Sequence, residues 1–142
     1  MQDLEIAKER LNEEGLALSV VKGGEMIFES VSHGISGFLE AVERLEEKLE
    51  GASVADRVVG KAIALLCVYA KVRAVYAVIL SERAKVVLEK HAIHHELDNL
   101  VESILDINKV GMCPFERLAT EISDPAEAYE RLGALQRSLS KR

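Results

Sequence analysis

Strand-type segments alternating with amphipathic helices predict an α/β domain on a mostly parallel sheet, with an antiparallel hairpin at its N-terminal end. Three features carry this reading. Runs rich in Val, Ile and Leu alternate with helical stretches of roughly ten to fifteen residues, the pattern of crossover units. Gly23-Gly24 separates two such runs by the two residues of a tight turn, and both glycines can adopt its positive φ angles. Ala74-Val75-Tyr76-Ala77-Val78-Ile79-Leu80 is continuously apolar, as expected of an interior strand buried on both faces.

Taken in order, Leu4, Ala7 and Leu11 recur at helical spacing, and Gly15 closes that helix. Leu16 to Val21 and Glu25 to Glu29 are the hairpin strands. Ser36 is a candidate cap for a helix with Phe38, Leu39, Val42, Leu45 and Leu49 on one face and Glu43, Glu46, Glu47 and Lys48 on the other. A short strand, Ala52 to Ala55, follows Gly51, and Asp56 is placed as N-cap of a helix from Arg57 to about Tyr69. That helix is apolar nearly all round, so it should be covered on several sides. After the central strand, Ser81 caps a helix carrying Ala84, Val87 and Leu88, and a weaker strand runs from Ile93 to Leu97. Val101 to Val110 reads mostly as loop. Pro114 suits the first position of a short helix through Ile122, and Asp124-Pro125 opens a last helix with Ala128, Tyr129, Leu132, Leu135 and Leu139 on one side. The expected organisation is an α/β domain over residues 1–123 with a C-terminal amphipathic helix over 124–142, in one compact unit.

Composition narrows the function. The 142 residues are 49% hydrophobic and 30% charged, enough for a core, but only 4% aromatic with no Trp, so Val, Leu, Ile and Ala must build that core. The net charge of −6 and the lack of a basic stripe argue against nucleic-acid binding, which depends on neutralising phosphates. The acidic N-terminus has no apolar signal segment, and the apolar stretch Ala62 to Ala70 is far shorter than the roughly 20 residues of a membrane span. Cys67 and Cys113 are too few for a disulfide framework. A cytoplasmic protein, with no membrane partner and no cofactor, is the expectation.

Two motifs, Val54-Ala55-Asp56-Arg57-Val58-Val59-Gly60-Lys61-Ala62 and Gly111-Met112-Cys113-Pro114-Phe115-Glu116, together with the order of elements, resemble a small prokaryotic family catalogued as a domain of unknown function. Its fold is similar to cytidine deaminase. The resemblance covers Leu4 to Leu118, with Arg57 where Lys is as common. It implies a three-layer α/β/α sandwich and does not imply deamination. Zinc deaminases place His-x-Glu or Cys-x-Glu at one helix start and Pro-Cys-x-x-Cys at the next. No Glu follows His33 at that spacing, and Ala55 to Val59 contains no thiol. A zinc-dependent deaminase is therefore rejected, and no metal site is expected.

Asp56, Gly60 and Lys61 stand where a strand feeds a helix, the place where open α/β sheets bind ligands. Free N–H groups and the helix dipole suit an anion there, and Lys61 adds charge. Ala55 and Ala62 replace residues that a Walker phosphate loop requires. Asp56 and Gly60 have an equally plain structural reading, as cap and close-packing residue. Lys61 interrupts an apolar helix, where an ammonium needs a partner or an outlet to solvent, so an Asp56–Lys61 pair at the pocket floor is one expectation. Cys113 falls at an N-cap position, where the dipole would favour its thiolate, with Glu116 placed to complete a capping-box-like pair and Gly111-Met112 shaping the loop. His33 precedes a helix near the same pocket. His94 and His95 would point to opposite faces of a strand, Cys67 reads as core, and His91 sits at a helix end.

Three functions fit this set. The first is a domain binding a nucleotide or other phosphorylated small molecule through Asp56, Gly60, Lys61, Gly111, Met112, Cys113 and His33. The second is an enzyme using Cys113 with Lys61 and Asp56 assisting. The third is an interaction protein acting through its tail helix, for which a homodimer is the simplest form.

Overall fold

The computed structural model describes residues 2–32, 34–104 and 113–140. α1 (Gln2–Glu13) leads into the hairpin β1 (Leu18–Lys22) and β2 (Glu25–Ser30), then α2 (Ile35–Leu45) with a 3-10 turn over Glu46–Leu49. β3 (Ser53–Val59), α3 (Lys61–Ala70), β4 (Ala74–Ser81), α4 (Glu82–Lys90) and β5 (His94–Val101) follow as two crossover units. α5 (Pro114–Ala119) and α6 (Pro125–Ser140) close the chain.

The five strands lie in the order β2-β1-β3-β4-β5. β1 is antiparallel to both β2 and β3, while β3, β4 and β5 run parallel. Gly23 and Gly24 take φ angles of 62° and 80° at the hairpin tip, where Asp3 accepts hydrogen bonds from both of their N–H groups. Strand alternation divides the core in two. Ala55, Ala74 and Tyr76 face α1, which covers that side, whereas Val54, Val75 and Ala77 face the larger cluster under α2, α3 and α4. The result is the α/β/α sandwich that the resemblance implies.

Several boundaries differ from the sequence reading, for identifiable reasons. β3 extends through Val59 because, although its pairing with β1 ends at Asp56 opposite Leu18, its pairing with β4 runs on past Ala77 to Leu80. Asp56 is therefore a strand residue and caps no helix. The Arg57 side chain reinforces the extension by donating to the carbonyls of Leu11 and Leu16 at 2.9 and 2.8 Å, which ties the end of α1 to the sheet. Likewise Gly34, not Ser36, is the N-cap of α2. α3 is apolar all round because α2, α4, α5 and α6 surround it on its sheet. The tail stripe packs back on this layer, with Ala128 and Leu132 fully buried, and Tyr129 stacks on Tyr69 of α3 at 4.6 Å between ring centroids. Ser81 caps α4 by accepting from the Ala84 N–H at 3.1 Å. No helix among the described residues is long and apolar enough to cross a membrane.

Candidate functional site

α2, α3 and α4 all begin at the end of the sheet where β3 and β4 finish. Between the starts of α2, α3 and α5 lies a cavity of about 220 Å³. Ile35, Val58, Ile63, Ile104 and Phe115 give it mostly apolar walls, and Ser36, Cys113, Glu116 and Gln136 contribute polar atoms. Val58 is 36% exposed although it sits on a central strand, so this end of the sheet is left open beside the cavity. A cavity lined mostly by apolar groups with a few convergent polar ones is the usual form of a small-molecule site.

Gly60 and Cys113, 53 positions apart in sequence, come together here. Lys61 does not join them; its side chain lines a separate groove between α3 and α4. Asp56 lies beneath α3, buried, and accepts hydrogen bonds from the backbone N–H groups of Val58 and Arg57. Burial raises its carboxyl from 3.8 to about 7, with those two bonds and the Arg57 charge opposing the rise. The Asp56–Lys61 pair is absent among the described residues: Asp56 belongs to the strand, and its carboxylate is satisfied by its own turn of backbone. Burial, with Asp56 nearby, pushes the Cys67 thiol up, as suits a core cysteine. His33, Gly111 and Met112 lie outside the described residues.

Glu116 is the residue that sequence reasoning misplaces. Its expected partner was Cys113, whose side chain makes no cap bond on α5. The carboxylate instead reaches the start of α3, accepting from Lys61 N–H at 2.9 Å and from Ala62 N–H at 2.8 Å. Gly60 explains the choice. The N-cap of α3 has no side chain to satisfy the first N–H groups, so a buried carboxylate finds there two free donors and the positive end of the helix dipole. A Cβ at position 60 would fall inside contact distance of the Glu116 carboxyl, so glycine there leaves the space that the carboxyl occupies. Burial raises the Glu116 carboxyl above its ordinary range, while its bonds to Ala62 and Lys61 and the charges of Arg83 and Lys61 act the other way. The helix end expected to be free for a ligand anion is thus filled by the chain's own carboxylate. No local pattern around Glu116 signals this contact, because its partners are more than fifty residues away.

A deaminase zinc does not fit these residues. At the two helix starts the described residues are Gly34, Ile35 and Ser36 and Gly60 to Ile63, without a Cys, His or Glu, whereas hydrolytic zinc needs three ligands and a proton shuttle. A larger cavity, about 820 Å³, is elsewhere, between α2 and the start of α6, and is lined by Glu43, Glu46, Glu47 and Glu50. Those four carboxylates are exposed and solvated, and carry no chemistry comparable to the buried Glu116.

The sequence matches the model of a domain of unknown function, DUF1893, over residues 6–135, so the match reaches into α6, beyond the Leu118 limit read from the motifs. The fold is similar to a crystal structure of a DUF1893 family protein from Thermotoga maritima, with a TM-score of 0.83 and 29% identity over 99% of this chain and 90% of that one. Acinetobacter baumannii RibD gives a TM-score of 0.44 at 20% identity, over 86% of this chain and 36% of that chain, a likeness too distant to bear on fold or activity. No curated protein matches.

Proposed function

This chain belongs to the DUF1893 family, and we propose that it is a small-molecule-binding domain whose ligand occupies the cavity between the starts of α2 and α3. The observation that carries this reading is the coincidence, at the C-terminal end of β3, of an apolar cavity with a buried carboxylate whose pKa is displaced. At about 220 Å³ the cavity is smaller than the common range of roughly 300–1,000 Å³ for larger ligands. It fits a single ring system such as a nucleobase, or the base portion of a nucleoside. The phosphate of a nucleotide would have to compete with Glu116, which already holds the first two N–H groups of α3. Ser36, Gln136 and the outer face of the Glu116 carboxyl are the groups placed to orient a polar ring edge.

Cys113 supplies the test, because it lines the cavity and is half-buried while Cys67 is fully buried. Thermal unfolding against nucleobases and nucleosides should find a compound that raises the midpoint. The same compound should slow alkylation of Cys113 in the folded protein. A ligand at a hundredfold its dissociation constant stabilises by about 2.7 kcal/mol, a shift of several degrees for a domain of this size. Stabilisation without protection of Cys113 would place the ligand elsewhere, and no stabilisation by any of these compounds would overturn the reading.

A further inference from the structure

The groove between α3 and α4 has a volume of about 430 Å³ and brings together Lys61, Arg83, Lys90 and His91, with Ser123 and Thr120 on the facing loop. Among the described residues no Asp or Glu lines it, although the chain as a whole carries a net charge of −6. Lys61, Arg83 and Lys90 form no ion pair among the described residues, whereas Arg10, Arg44, Lys71 and Arg131 each do.

Helix electrostatics account for only half of this cluster. Lys90 and His91 stand at the C-terminal end of α4, where the dipole favours cations. Lys61 and Arg83 stand in the first turns of α3 and α4, where the dipole disfavours them. The Glu116 carboxylate attracts both at longer range, but its oxygens are bonded to the backbone of α3 and it does not line the groove. Two cations held at unfavourable helix ends, lining one groove with a third, are explained by an anion that binds among them. Three separated positive charges suit a phosphate group better than a single carboxylate, and Arg83 can engage it in bidentate fashion. The hydroxyl of Thr120 is not available as donor, since it donates to the Arg117 carbonyl at 2.7 Å.

We propose that the α3–α4 groove is a binding site for a phosphorylated small molecule, separate from the cavity at Cys113, with Lys61, Arg83 and Lys90 as its phosphate contacts. It does not depend on the small cavity being occupied. Isothermal titration with inorganic pyrophosphate and with a pentose phosphate is the direct test, with the unphosphorylated pentose as control. Wild type should bind both phosphates at one site, with an affinity that falls as salt rises, and should not bind the pentose. The R83Q/K90Q variant changes two exposed side chains and should bind about tenfold more weakly or worse. An R44Q/K48Q variant, with the same change in net charge on α2 and the turn after it, should stay within about twofold of wild type. Absence of saturable binding to wild type, unchanged binding in R83Q/K90Q, or an equal loss in R44Q/K48Q would each overturn the proposal. Pyrophosphate should also leave the alkylation rate of Cys113 unchanged, and protection of Cys113 would assign the phosphate to the other cavity instead.

Discussion

Replacing Gly60 with Ala tests the contact that organises the candidate site. The backbone there is extended, with φ of −100° and ψ of −174°, so Ala is permitted by conformation and the whole penalty should come from the added methyl. That methyl overlaps the Glu116 carboxyl, which must withdraw and give up its bonds to the Lys61 and Ala62 N–H groups. Loss of a helix cap costs about 0.5–2 kcal/mol, and hydrogen bonds to a charged acceptor contribute about 1.5–3 kcal/mol each before relaxation. Gly60→Ala should therefore destabilise by about 2–4 kcal/mol, a fall of roughly 5–15 °C in midpoint. Glu116→Ala should cost about 2–3 kcal/mol on the same grounds. The diagnostic is the double variant. With the carboxyl gone, the added methyl no longer has the group it overlaps, so the pair should cost no more than Glu116→Ala alone, giving a coupling energy of about 2 kcal/mol or more. Denaturant unfolding of the four proteins measures it. Costs that simply add would refute the reasoning, because they would mean that Gly60 is needed for its backbone and not for the approach of Glu116.

Other parts of the structure give predictions of the same kind. Asp56 titrates near 7 in the folded protein against 3.8 as a free group, so between those values the folded state holds a proton that the unfolded chain has lost, and stability falls as pH rises from about 4 to about 7. At about 1.4 kcal/mol per unit, the loss from pH 5 to pH 8 is about 3 kcal/mol, with Glu116 adding in the same direction. Asp56→Asn, neutral throughout, should flatten most of that dependence in urea unfolding, and an equally steep curve in the variant would assign it to other groups. Arg57→Met removes two bonds to the carbonyls of Leu11 and Leu16; it should cost about 2–3 kcal/mol and speed amide exchange at the end of α1. Tyr129→Leu keeps an apolar side chain but ends the stacking on Tyr69, and a loss of about 1 kcal/mol is expected, with the thermal midpoint as the readout.

Most of the fold is legible in the sequence because the relevant signals are local. The hairpin follows from Gly23-Gly24, the interior strand from Ala74 to Leu80, and the cap of α4 from Ser81, each needing only its neighbours. The errors arise where distant residues decide. Asp56 has the look of an N-cap, but it pairs with both β1 and β4, and the pairing with β4 carries the strand past it to Val59. β5 reads as a weak strand ending at Leu97, yet its pairing with β4 continues to Val101. The site shows the same division. Gly60 and Cys113 are recognisable as special and do share a cavity, but the direction of the Lys61 side chain and the reach of Glu116 to α3 are set by packing that no local spacing encodes.

The placement of Glu116 also constrains the kind of ligand that each proposed site would take. A helix start at the end of a parallel strand attracts anions, and in this chain the attraction is satisfied internally by a carboxylate that Gly60 admits. A phosphate would have to displace that carboxylate, break two hydrogen bonds and leave a buried acid without its donors. A neutral ring in the adjacent cavity would leave those bonds intact and need only complement the remaining polar edge. The cations that would have neutralised a phosphate at the start of α3 are not missing from the molecule. Lys61 leaves the same turn of helix to line a separate groove with Arg83 and Lys90. Apolar enclosure and positive charge are thus on two sides of one carboxylate, which is why the binding of a base-like ring and of a phosphate are separate questions for separate variants.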